Sequence, residues 1–303
     1  MRRMCSLLTG CLWLGVVVQP LLAQTENLKR ATATQPARSV AERASCSTLC
    51  LNAAKHPAEA AFKTIAEMGY RYIDLSALSF CRHIDVRALL EDFDRETARV
   101  EAALKANKLG VSNLTYDSFH GRPFDQFKKE FEALAKFAAH VRAPVINLMA
   151  PPAKANRDEA VEKLKELVAI ARRHGVILTV ETHAGQLTEL PADALWLCRQ
   201  VPGLGLTLDP SHYYAGPHQG KPFDELYPYV KGTGFRAGGM SWDTIQSPWG
   251  TGPIDFAKIV RDLEKAGYQG YYVSEYLDGF QGRDAVAESK KFLEWIKSLQ
   301  RRQ

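Results

Sequence analysis

Between residues 45 and 299, short apolar runs alternate with amphipathic stretches eight times over. That alternation restricts what the chain can fold into more than any other feature. Runs near Cys46–Leu51, Tyr72–Leu75, Gly110–Leu114, Pro144–Leu148, Val176–Val180, Leu204–Leu208, Val230–Phe235 and Tyr271–Ser274 are short, apolar or β-branched, and bounded by turn residues. They read as buried strands. The stretches between them carry helical spacing over Pro57–Met68, Asp85–Lys108, Phe124–His140, Arg157–His174, Pro191–Gln200, Phe223–Tyr229, Ile254–Ala266 and Asp284–Leu299. Strands that alternate with helices imply a parallel sheet. Eight such units in about 255 residues match a closed (β/α)8 barrel, the TIM-barrel architecture of the α/β class. An open doubly wound sheet is disfavoured, because no Gly-x-Gly-x-x-Gly follows an early strand and Phe235-Arg236-Ala237-Gly238-Gly239 does not match it either.

The chain has 303 residues, 46% of them hydrophobic and 24% charged, which is enough apolar material for one full core. The net charge of +5 is mild and no basic stripe is present, so a nucleic-acid partner is not expected. The first residues read as a secretory leader: Arg2 and Arg3, an apolar stretch from Cys5 to Val18, then Leu21-Leu22-Ala23 as a cleavage site. Pro20 breaks the stretch too early for a membrane span. A twin-arginine or lipoprotein route fits less well, since the positions after the arginines are poor and Cys11 is still followed by apolar residues. The expected organisation is a leader over 1–23, a flexible polar linker over 24–44, and the barrel over 45–303, giving an exported protein with no integral span after processing. Cys46, Cys50, Cys81 and Cys198 remain after cleavage, either as disulfide partners or as buried thiols.

Three of the strand-like runs end in a carboxylate. Val176–Val180 leads into Glu181-Thr182-His183, Leu204–Leu208 into Asp209-Pro210-Ser211-His212, and Tyr271–Ser274 into Glu275. In a parallel barrel all the strands deliver their C-terminal ends to one face, where function sits. Glu181 and His183 are two residues apart and point the same way. Taken singly, a strand-end Glu is more often part of a loop salt bridge, and a lone His an ordinary hydrogen-bonded residue. Three carboxylates at one mouth repel one another unless protonated or neutralised. A divalent cation solves this economically, and oxygen ligands with one nitrogen suit Mg, Mn, Co or Zn.

The residues Glu181-Thr182-His183-Ala184-Gly185, Leu208-Asp209-Pro210-Ser211-His212 and Ser274-Glu275 resemble the xylose isomerase-like barrels, which include sugar isomerases, D-tagatose 3-epimerase and inosose dehydratase. The resemblance implies metal-ligand roles for Glu181, Asp209 and Glu275, and contact of His212 with a substrate hydroxyl. It fails on strand seven, where that family has a histidine and this chain has Gly232 or Gly234, with Arg236 close by. Three arrangements remain open. His212 or His183 supplies the nitrogen, water fills the place, or Arg236 sets a guanidinium among the carboxylates.

The implied chemistry is proton transfer by Glu181 and Glu275 on a small sugar or polyol, with His183, His212, Arg236 and Trp249 as substrate contacts. The loop after strand seven, with Met240, Trp242, Gln246 and Trp249, is expected to overlie the mouth. Phe80, Arg82 and His83 are secondary candidates. A dehydratase of a keto-polyol and a carbohydrate-binding barrel without catalysis are the alternatives, and a homo-oligomer is left open.

Overall fold

The computed structural model describes residues 38–300. The leader expected over 1–23 and most of the linker expected over 24–44 lie outside these residues. Eight parallel strands form the barrel: β1 Ala44–Ser47, β2 Tyr72–Leu78, β3 Gly110–Tyr116, β4 Val145–Leu148, β5 Ile177–Glu181, β6 Gly205–Leu208, β7 Val230–Thr233 and β8 Tyr272–Ser274, and the short segment Cys81–Arg82 pairs antiparallel with the end of β2 as a hairpin. Each strand pairs with its sequence neighbour from β1 to β7, and β8 returns to pair with β1. Between β7 and β8 the regular ladder stops, and a Phe235–Ser274 bridge takes over. Phe235 N donates to Val273 O at 2.7 Å and Glu275 N to Phe235 O at 2.9 Å. This is a nearly closed TIM barrel.

The helices are α1 Ala58–Glu67, α2 Val86–Glu91, α3 Phe93–Asn107, α4 Phe124–His140, α5 Arg157–Arg173, α6 Pro191–Gln200, α7 Pro210–Ala215, α8 Phe256–Lys265 and α9 Ala285–Gln300. Helix α8 shows why such stretches fold as they do. Asp255 caps it by accepting from Lys258 N at 2.8 Å, and Phe256, Ile259, Val260 and Leu263 form one buried face. Gly267 ends the turn at φ +83°, a conformation costly for any residue with a Cβ.

Four boundaries differ from the sequence expectation. The helix expected over Asp85–Lys108 is two helices, because Asp92 leaves helical geometry at φ −154° and caps α3 through Arg95 N. The first strand begins at Ala44 and stops at Ser47, where the chain turns into a 3-10 segment over Thr48–Cys50. The stretch around Pro228 is a 3-10 helix over Asp224–Tyr229, and Pro228 within it has no N–H to donate. The end of the expected linker is structured as well. Arg43 is buried, pairs with Glu264, and donates to Tyr268 O at 2.9 Å and Gly270 O at 3.2 Å. The four described cysteines are buried thiols, with the Cys46 and Cys50 sulfurs 3.6 Å apart.

Candidate active site

Glu181 is the last residue of β5, Asp209 follows β6, and Glu275 follows β8. All three are buried, and one carboxylate oxygen from each lies within 4.8 Å of the others. Parallel strand ends bring them together, and strand alternation aims them inward. Thr179 and Thr207, two residues below Glu181 and Asp209, share a 2.8 Å hydroxyl contact, and Thr179 also reaches Asn147 Oδ1 at 3.3 Å. The floor of the site is therefore polar. The hydroxyl of Thr182 ties the two strand ends together by accepting from Asp209 N at 3.0 Å.

Beyond Asp209 the chain enters α7 directly. Asp209 is its N-cap, with Oδ1 accepting from Ser211 N at 2.8 Å, and Pro210 suits the first turn. The cap uses one oxygen and leaves Oδ2 facing the site. It also sets His212 on the first turn of α7, its ring centroid 3.7 Å from that of His183. His183 Nδ1 lies 2.6 Å from Ala184 O, which assigns the proton to Nδ1 and leaves Nε2 with its lone pair. Burial pushes His183 down to about 4 and His212 well below the usual imidazole range, so both rings are neutral.

Arg236 enters the same cluster, almost wholly buried. Its Nε donates to Ser211 Oγ at 3.0 Å. Its Nη2 donates to His212 Nε2 at 2.6 Å and sits 2.8 Å from Asp209 Oδ2. The Asp209 contact is an ion pair that is not aligned as a hydrogen bond, so Oδ2 remains a buried acceptor without a hydrogen-bond donor. His212 Nε2 is 3.7 Å from Glu181 Oε1 and 3.6 Å from Asp209 Oδ2, too long for hydrogen bonds. Burial pushes Glu181 up to about 8, with the Asp209 charge adding to the shift and Arg236 opposing it. Glu275 is raised well above the carboxylate range, by burial first and by the Glu181 charge second. Burial also raises Asp209.

The donor set fits a divalent cation. Glu181, Asp209 and Glu275 offer hard oxygens, and Glu181, His183 and His212 form a second mixed group within 4.8 Å. Three carboxylates against one guanidinium leave a formal charge of 1 − 3 = −2, which one such ion balances. Two protons on the glutamates balance it equally.

Strand seven supplies no imidazole, and the packing shows why. A Cβ on Gly234 would overlap Glu275 Oε2, so the space beside Gly234 is already filled by the Glu275 carboxylate.

Trp249 is not at the mouth. Its ring packs 4.7 Å from Phe256, 4.9 Å from Phe292 and 5.0 Å from Trp295, in an aromatic cluster with α8 and α9 that leaves it half-buried. The tryptophan beside the site is Trp242, 51% exposed, with its ring 5.9 Å from His212 and 6.4 Å from His183. Gln246 anchors this loop through Leu277 and Phe280. His83 is a buried packing residue bonded to His56 O, Phe80 is exposed on a hairpin, and Arg82 lines a separate cavity of about 270 Å³ with Tyr116 and Arg122.

Asp74 on β2 was missed in the sequence, although a lone Asp in an apolar strand is itself a signal. It is buried, accepts from Thr115 Oγ1 at 3.0 and 3.1 Å, and burial raises it to about 6. A carboxyl raised in the folded state binds its proton more tightly there than in the unfolded chain. Its stabilising contribution is present at low pH and is lost as pH rises from about 4 to about 6. Asp74→Asn is expected to remove that slope and to add about 1–3 kcal/mol at pH 7. Urea unfolding at pH 4, 5.5 and 7 checks it, and an unchanged pH slope contradicts it.

The model of the xylose isomerase-like TIM barrel matches residues 62–299. Among solved structures, the "probable 3-DHS dehydratase AsbF" of Bacillus anthracis superposes with TM-score 0.67 at 18% identity, covering 84% of this chain and 98% of that one. A xylose isomerase-like barrel protein of Mycobacterium smegmatis in complex with magnesium gives 0.67 at 18%, covering 84% and 97%. A D-allulose 3-epimerase of Methylomonas sp. gives 0.64 at 16%, covering 87% and 98%. No curated protein matches the chain.

Proposed function

The chain belongs to the xylose isomerase-like TIM barrel family, and we propose that it is an isomerase or epimerase of a free sugar or polyol, working by proton transfer at a carbon beside a carbonyl. One observation carries this reading: Glu181 and Glu275 offer carboxylate oxygens within 4.8 Å of each other in a buried cluster, and burial raises both. A carboxyl such as Glu181, raised by burial to about 8, can take a proton from carbon and return it. The family and the donor set point to a divalent ion, Mn, Mg, Co or Zn, held by Glu181, Asp209 and Glu275. When bound, it would polarise the carbonyl and stabilise negative charge on oxygen.

The remaining roles follow from position. His183 Nε2 is an acceptor for a substrate hydroxyl, because Nδ1 is committed to Ala184. His212 offers its buried Nδ1–H, which has no partner among the described residues. Trp242 presents an exposed ring beside both, suited to the C–H face of a sugar, and takes the part expected of Trp249.

A dehydratase is the second reading. It shares the proton abstraction and then loses a β-hydroxyl, and both a dehydratase and an epimerase are among the structures this fold resembles. Proton NMR in deuterated water separates the two, using the manganese-supplemented protein and a panel of ketohexoses and inosose-type ketones. Exchange at carbon with the skeleton intact supports isomerisation, and water loss supports the dehydratase. No exchange into any member of the panel rejects both.

A further inference from the structure

We propose that Arg236 is a built-in counter-cation of the carboxylate centre, competing with a divalent ion for Asp209 and His212 and holding the affinity for that ion low. This rests on the metal reading of the centre given above. The guanidinium is pinned at three points. Ser211 Oγ fixes Nε at 3.0 Å, while Nη2 is shared between His212 Nε2 at 2.6 Å and Asp209 Oδ2 at 2.8 Å. The two atoms it engages are a hard oxygen and an imidazole lone pair, the donor types a divalent ion would use. A guanidinium does not lose its proton in a protein, so it cannot make way by becoming neutral as a histidine can.

The rest of the seam favours the same arrangement. Gly234 leaves its space to the Glu275 carboxylate, so no side chain from that position adds a ligand. Arg236, two residues further on in the segment that follows β7, reaches the cluster through the bonds above. It brings a positive charge against Asp209, and through Asp209 to carboxylates that share a 4.8 Å neighbourhood. Two cations near one carboxylate repel, and in a buried site that repulsion is weakly screened. Removing the guanidinium changes the formal balance from −2 to −3 and frees His212 Nε2 as well.

The test is a titration of chelator-stripped protein with Mn2+, read by calorimetry and by the loss of free-ion electron paramagnetic resonance signal, so no substrate is needed. Wild type is expected to bind one ion weakly and Arg236→Gln to bind it at least about tenfold more tightly. Arg236→Lys keeps the charge and should stay within about threefold of wild type. Ser211→Ala only loosens the guanidinium, so it keeps the fold and should tighten binding by about two- to fivefold. If Arg236→Gln fails to fold, Ser211→Ala decides.

Equal or weaker binding by Arg236→Gln and Ser211→Ala, with wild-type binding abolished by Glu181→Gln, overturns the counter-cation while leaving the metal centre standing. No Mn2+ uptake by any form, Arg236→Gln included, rejects the metal centre and the proposal with it.

Discussion

Glu181→Gln and Glu275→Gln are each expected to lower turnover on a responsive sugar by about 10²–10⁴-fold, the usual contribution of a positioned acid or base. Glutamine keeps the shape and hydrogen-bonding reach of the side chain but cannot carry the proton. Both variants should fold, and both should be more stable than wild type at pH 8. The pocket opposes the charge that each glutamate carries once ionised, and the amide removes that cost. The paired readout is deuterium exchange at carbon, for the chemistry, and thermal unfolding at pH 8, for the stability. Full exchange in either variant would show that proton transfer does not pass through that residue. Lost exchange together with lost stability would reduce the pair to a structural role.

Gly234→Ala is expected to separate folding from activity in a different way. The new methyl would collide with Glu275 Oε2, the far end of a side chain that can rotate away. The fold should therefore lose only about 1 kcal/mol, in the range of off-rotamer strain. The carboxylate, however, would leave its place beside Glu181 and Asp209. Because misplacing a reacting group by about 1 Å can cost 10²-fold, activity should fall by about that factor. A crystal structure of the variant would show Glu275 in a new rotamer. Wild-type activity in Gly234→Ala would mean that the Glu275 carboxylate need not occupy that space.

Much of this site was legible in the residues because it follows from periodicity. Each of the runs before Glu181, Asp209 and Glu275 is apolar for a few residues and then ends in a charge, and parallel strands must deliver such ends to one face. What stayed hidden depended on contacts across the chain. Asp92 breaks the long helix before α3 because its side chain finds an amide to cap, an alternative that apolar spacing does not reveal. Trp242 and Trp249 lie seven residues apart in one loop. The structure separates them by packing: Trp249 sits among Phe256, Phe292 and Trp295, and Trp242 beside His183 and His212. Asp74 carried a visible anomaly, an acid in an apolar strand, but its partner Thr115 lies 41 residues away.

By itself, the order of residues determined the barrel and the meeting of Glu181, Asp209 and Glu275, since strand alternation and parallel connection are local rules that repeat. It left the missing seventh-strand ligand undecided between a nitrogen from His212 or His183, a water and the guanidinium of Arg236. Only the tertiary structure placed Arg236 against Asp209 and His212 and gave the space beside Gly234 to Glu275. The reason is that volume and charge in a closed pocket belong to all the side chains that share it, and no one strand records what its neighbours leave vacant.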